Sequence, residues 1–275
     1  MTAHSPVLRK RRQRADRFFR AICFGAAGIG TLILFLVLGR ILLDGLPRLS
    51  GDFVFGKISA SANKTGVWPA VVGTLWIAVL TTLVSVPVGV GAAIYLEEFT
   101  VKKNPFTRFI ALNIANLSGV PSIVYGLLGL AVFVRGMQLG QSVLAGALTM
   151  AVLVLPTVII VTSEALKAVP QAFREAALGL GATRWQAIRR QVFPAALPGI
   201  VTGVIISVSR AIAGRVAAPD SPGDKYTVLP RVIFSWANEA QDEWQRAAAS
   251  AIVVLMVALL VINGVAIWLR DRARR

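Results

Sequence analysis

Histidine and cysteine are almost missing from this chain of 275 residues, where His4 and Cys23 each stand alone. A single cysteine excludes an intrachain disulfide and leaves the redox compartment unread. With His4 the only histidine, neither a zinc site nor a Ser-His-Asp triad is expected. Acidic residues are scarce as well, 13 against 29 lysines and arginines, for a formal net charge of +16. Only 15% of residues are charged while 56% are hydrophobic, and mean hydropathy is +0.69. That balance excludes a soluble domain of ordinary composition and places the chain in a membrane.

What the chain does have is a series of long apolar runs. Stretches of about 20 residues, enough to cross a hydrocarbon core of about 30 Å, cover 21–43, 70–96, 109–134, 139–161 and 247–269, with a shorter sixth over 199–214. The expected fold is therefore all-α and polytopic, with about six transmembrane helices. Seven of the cations lie in residues 1–20, three in 97–108, five in 164–198 and four after Leu269. Six crossings put all of these on one side, which the positive-inside rule makes the cytoplasm, with both termini there. The organisation is a basic N-terminus (1–20), a transmembrane domain (21–269) and a basic tail (270–275). Attraction of the cationic segments to anionic lipid headgroups accounts for much of the net charge, with no need of nucleic acid. The basic run before the first span imitates a signal peptide, but its apolar stretch is longer than an h-region and no small-x-small cleavage site follows before Arg40, so a retained anchor is expected.

A second imitation lies at Gly51-Asp52-Phe53-Val54-Phe55-Gly56-Lys57, which has the outline of a phosphate-binding loop. Ile58 stands where a magnesium-binding Ser or Thr is needed, and the stretch falls on the outer side, away from cytoplasmic ATP. The chain thus has no nucleotide site of its own.

The most informative segment is the charged loop 164–198 between two apolar runs. Phe173, Ala177 and Leu180 share one face of a short amphipathic helix, with Arg174 and Glu175 leaving it on another. Gly181 suits a left-handed helix end. Thr183, followed three residues later by Gln186, forms a capping box for a second helix. Trp185, Ile188 and Val192 make that helix's apolar stripe, while Arg184, Arg189 and Arg190 turn to water or headgroups. The pattern is a helix-turn-helix, which on spacing alone reads equally as a docking element or as an ordinary amphipathic helix pair. A DNA-binding element has the same outline, and a salt-dependent DNA affinity would identify it.

Glu175-Ala176-Ala177, Gly181, Ile188 and Leu197-Pro198, taken in order, resemble the cytoplasmic loop of the membrane subunits of binding-protein-dependent ABC importers. Gly73-Thr74-Leu75, Pro87-Val88-Gly89, 93–99 and 119–129 extend the resemblance, which is closest to phosphate importer permeases of the PstA type. It implies a multi-pass subunit of the bacterial inner membrane, paired with a second permease, driven by a cytoplasmic ATPase dimer that holds the ATP and magnesium, and supplied by an extracytoplasmic phosphate-binding protein. Membrane lipids are the remaining partner, and the chain itself carries no cofactor. Glu175, Ala176, Ala177, Gly181 and Ile188 would then be the coupling residues. Another oxyanion, or an assembly or regulatory role without transport, are the alternatives within that resemblance.

Arg210 is the candidate for substrate. Twelve helical residues beyond Pro198 carry it roughly 18 Å into a core about 30 Å thick, where a guanidinium is costly unless it faces a pathway or a partner. Its planar donors match the oxygens of phosphate. Ser207, one turn earlier, shares its face, and Asn116, with Asn113 and Ser118, adds polar groups to the third span. Pro87, Pro121 and Pro156 introduce kinks, and Gly199 with Gly203 forms a small-xxx-small pair suited to close helix contact. The chain departs from the resemblance after Arg210. Where PstA-type permeases continue with Gly-Glu-Thr-Ala-Pro, this chain has Arg215 about where the carboxylate belongs, then a polar turn-rich stretch over 219–225, and the fifth span is at the lower length limit.

The charge distribution yields a direct prediction. A C-terminal fluorescent-protein fusion in bacteria should fluoresce and a C-terminal alkaline phosphatase fusion should be inactive; the opposite pair of results would reverse the orientation.

Overall fold

The computed structural model describes residues 6–100, 105–212 and 228–272, with the side chains of 6–15, 208–212, 266, 269 and 270 outside the description. The stretch 213–227, which includes Arg215, likewise lies outside it. Among the described residues the chain is helical, with no strand. In chain order the helices are α1 (Pro6–Gly45), α2 (Gly51–Phe55), α3 (Trp68–Ile94), α4 (Pro105–Ser118), α5 (Ser122–Gly129), α6 (Val143–Lys167), α7 (Gln171–Gly179), α8 (Arg184–Ala187), α9 (Phe193–Ile212), α10 (Leu229–Ala237) and α11 (Asp242–Arg272). Turns of π-helix extend α3 over Tyr95–Phe99 and α5 over Leu130–Gly136, and join α8 to α9 over Ile188–Val192. Five helical segments are long and apolar enough to cross a bilayer, and counting one bent pair as a span gives six.

The bent pair corrects the expectation of a single helix over 109–134. α4 and the segment Ser122–Gly136 meet at 99°. Pro121 supplies no N–H and pushes Val120 out of the helical region, so α4 ends at Ser118 and Pro121 becomes the residue before a new helix. The corner is fastened by the Tyr125 hydroxyl, which donates to the Leu117 carbonyl at 2.8 Å. By contrast α3 and α6 continue through Pro87 and Pro156.

A second correction concerns the fifth span. α9 continues the helical path of α8 and the π turn, where the Phe193 amide donates to the Ile188 carbonyl, so the helix is under way before the expected start at 199. Its 20 residues reach about 30 Å, so the described helix is not short.

The centre of the bundle is α3 against α6, running in the same direction. The Thr81 hydroxyl donates across to the Ala147 carbonyl at 3.3 Å. Gly89 lies so close to Val158 that a Cβ there would stand 2.7 Å from Cγ1. Nearer their C-terminal ends Ala93, Ile159, Leu166, Val192, Ala196 and Ile200 form one buried cluster. α9 crosses back along α6, with Gly199 facing Ala165 and Gly203 facing Val161, so the small-residue pair does make the close contact expected of it. At the opposite end of the bundle Phe53, Val67, Leu229 and Trp236 make a second core, Trp236 and Trp244 lie 5.5 Å apart, and the Ser250 hydroxyl ties α11 to the Gly45 carbonyl of α1 at 2.9 Å. The phosphate-loop imitation belongs to this end. Ser50 caps α2 by accepting from the Phe53 amide at 3.2 Å, and Phe53 is core.

The α6–α9 contact can be tested. A Cβ on Gly203 would overlap the Val161 side chain, so Gly203→Val should lower stability by about 1–3 kcal/mol, seen as earlier thermal loss of helical circular dichroism in detergent. Val161→Ala in the same chain should recover much of the loss. Unchanged melting of Gly203→Val would mean that these helices do not touch.

Candidate functional site

Because α3 and α6 run in parallel, both end at the same face of the bundle, and α7, α8 and the start of α9 are laid across it. α6 stops where Pro170 cannot continue a helix. α7 then ends in a Schellman turn: Gly181, at φ +81°, donates its N–H to the Leu178 carbonyl at 2.9 Å, and Ala182 donates to Ala177 at 3.1 Å. Thr183 opens α8 with the full capping box, its hydroxyl accepting from the Gln186 amide at 3.3 Å while the Gln186 side chain accepts from the Thr183 amide at 2.8 Å.

The two halves of this hairpin are held differently. Ala187, Ile188 and Val192 are buried beneath α8 and the π turn, with Val192 in one cluster with Leu166 and Val169. Arg184, Arg189 and Arg190 are exposed. α7 has no buried residue. Phe173 and Leu178 are exposed, Leu180 is 90% exposed, and Glu175 and Ala176 are exposed beside them. Trp185, also exposed, lies 6.3 Å from the Phe99 ring. The apolar face of α7 therefore contributes little to the core and is presented outward, as interaction surfaces are.

Arg174 does not join the polar outer face as the helical spacing suggested. It turns inward, with its side chain 16% exposed, to Glu98, 6% exposed, on the π turn that ends α3. Its Nε donates to both Glu98 oxygens at 3.1 and 3.0 Å. Nη2 donates to Glu98 Oε1 and to the Leu166 carbonyl at 2.9 Å, and Nη1 to the Val169 carbonyl at 2.8 Å. The hydrogen bonds to Glu98 raise the guanidinium's pKa above its ordinary value, against the opposing effect of burial. Beside this pair Lys167 meets Glu97 at 2.9 Å with 60% of the lysine side chain exposed. Together these residues line a polar cleft of about 450 Å³ with Gln171, Arg184 and Ile188.

The structure thus gathers Glu175, Ala176, Ala177, Gly181 and Ile188 into one hairpin, with Ala177 half-buried and Ile188 alone in the core. Ser207 and Arg210 lie further along α9. Ser207 is buried and its hydroxyl donates to the Gly203 carbonyl at 2.8 Å. Arg210 is on α9 roughly 26 Å beyond Phe193, and its side chain lies outside the described residues. Asn116 is exposed on α4. Its neighbours Asn113 and Ser118 donate to carbonyls of their own helix at 2.8 and 2.7 Å. The reading from sequence missed the Glu98–Arg174 pair, although adjacent acids at the end of an apolar run, with cations in a later loop, were its trace.

The family described as the binding-protein-dependent transport system inner membrane component matches residues 85–275. The probable ABC transporter permease protein YqgI of Bacillus subtilis is 35% identical over 212 residues, 77% of this chain and 71% of that protein. The phosphate transport system permease protein PstA of Haemophilus influenzae is 30% identical over 263 residues, 92% of each. Among solved structures, a chain of a bacterial ABC transporter involved in the import of the acidic polysaccharide alginate superposes with a TM-score of 0.65 at 17% identity, over 94% of this chain and 99% of that one, a likeness of fold. With the family pattern covering more than half of the chain and carrying the outward-facing hairpin, this multi-pass protein belongs to the binding-protein-dependent transport system inner membrane component family.

Proposed function

We propose that this chain is a permease subunit of an ATP-driven importer that carries inorganic phosphate into the cytoplasm. The observation that carries the substrate is the similarity to a phosphate permease along 92% of the chain. The docking role rests on α7, an amphipathic helix whose apolar face is exposed on a rigidly capped hairpin. In this reading a cytoplasmic ATPase dimer, which holds ATP and magnesium, receives Glu175 to Gly181. A second permease completes the pathway, an extracytoplasmic phosphate-binding protein delivers the anion, and both termini are cytoplasmic. A short helix held between two spans passes closure of the ATPases to the membrane as a rigid-body movement.

Within the membrane Arg210 is the residue suited to phosphate, since a guanidinium presents paired donors to oxygens and stays charged. Ser207 and Asn116 are the accompanying candidates. A second reading, a subunit that assembles with the ATPase without transporting, is favoured by one observation: Arg215 occupies about the place of the carboxylate that PstA-type permeases carry after this arginine.

Labelled-phosphate uptake separates them, in cells lacking their own permease of this type and supplied with this chain and its cognate partners at matched membrane levels. Uptake by the chain as it stands is expected, with Arg210→Ala reducing it about tenfold or more. Uptake only after the Gly-Glu-Thr-Ala-Pro segment is restored would identify the assembly role. Uptake of another oxyanion in place of phosphate would correct the substrate.

A further inference from the structure

We propose that Arg174 is the positioning residue that makes α3 and α6 move with α7, through its buried pair with Glu98. The proposal rests on the reading of α7 as the helix that docks on the ATPase. Among the described residues, the side-chain hydrogen bonds from α7 to the ends of α3 and α6 all come from Arg174. Its donors are divided. Nε and Nη2 grip the carboxylate at the end of α3, Nη2 also holds the Leu166 carbonyl at the end of α6, and Nη1 holds the Val169 carbonyl in the turn between α6 and α7. One rigid planar group therefore joins three elements, which the single ammonium of a lysine does not reproduce.

Burial makes the joint stiff. Separating the pair would leave Glu98, 6% exposed, as a largely buried charge without its partner, an unfavourable state. A tilt of α7 is thus accompanied by both helix ends instead of being absorbed in the turn. The neighbouring Lys167–Glu97 pair bridges α6 to α3 only, and its lysine is mostly exposed, where screening leaves little force.

The test uses the whole transporter in lipid vesicles, this chain with its partner permease, ATPases and binding protein, with ATP hydrolysis and labelled-phosphate translocation measured in the same sample. Arg174→Gln and Glu98→Gln should each retain bound ATPase and hydrolyse ATP within about twofold of the unsubstituted chain, while phosphate moved per ATP falls about tenfold. Arg174→Lys should fall nearly as far, and Lys167→Gln should leave the ratio unchanged. The double variant Glu98→Gln/Arg174→Gln, with no orphaned charge, should fall no further than either single change, and it carries the same test if the single variants fail to insert. An unchanged ratio in the Arg174 variants overturns the proposal, as does a loss of ATPase binding that accounts for the whole fall in transport. Failure of the unsubstituted chain to bind the ATPase is a separate result, which removes the docking reading and this inference with it.

Discussion

The parallel, close contact of α3 with α6 is the constraint on which the loop face depends. Two helices running the same way need a long return between them, and the α4–α5 corner provides it. Their close approach is possible because Gly89 has no side chain to meet Val158. Parallel packing also brings two helix C-termini together, each with unpaired carbonyls and the negative end of a helix dipole. Glu97 and Glu98 add carboxylates to that same place. Without cations this end of the bundle would repel itself. Lys167 answers the exposed part of the problem, and Arg174 the buried part.

The same logic explains why the hairpin has an anchored half and a free half. Val192 packs into the cluster shared by the ends of α6 and α9 and, with buried Ile188, accounts for the hairpin's attachment by burial. Phe173, Leu178 and Leu180 contribute little in that way, since they stay exposed. Apolar side chains on a short helix outside the core, fixed by a Schellman turn on one side and a capping box further on, form an exposed apolar surface of set geometry, which is what the proposed docking role uses.

What was legible in the sequence was local or periodic. Gly181, Thr183 and Gln186 announce the turn because capping is decided within a few residues. Gly199 and Gly203 reveal the face that α6 touches because spacing alone sets it. The corner at Pro121 was not legible as a corner, since an apolar run of this length reads as one span. Turning a kink into 99° takes the break at 119–121 and the Tyr125 bond to Leu117. The start of α9 was read late because the apolar run begins only at Gly199, whereas the helix runs on from the π turn through Pro194 and Pro198. Arg174 was placed outward because a helical wheel separates polar from apolar faces and knows nothing of a carboxylate 76 residues earlier in the chain.

Two of the three π turns, Tyr95–Phe99 and Ile188–Val192, lie at this loop face. In such turns the regular hydrogen-bond ladder is interrupted. Beyond them the helices are interlocked: α9 by Gly199 and Gly203 against Ala165 and Val161, and α3 by Gly89 against Val158. A displacement applied at α7 thus meets irregular backbone before it reaches well-packed helix. Left to the backbone, much of it would be spent in unwinding or tightening those turns. On the reading proposed above, a side chain that bypasses them, fixed to the end of α3 at Glu98 and to the end of α6 at Leu166, removes that slack. On that same reading, the irregular turns give a reason for the tie at this face to be a buried guanidinium with several partners.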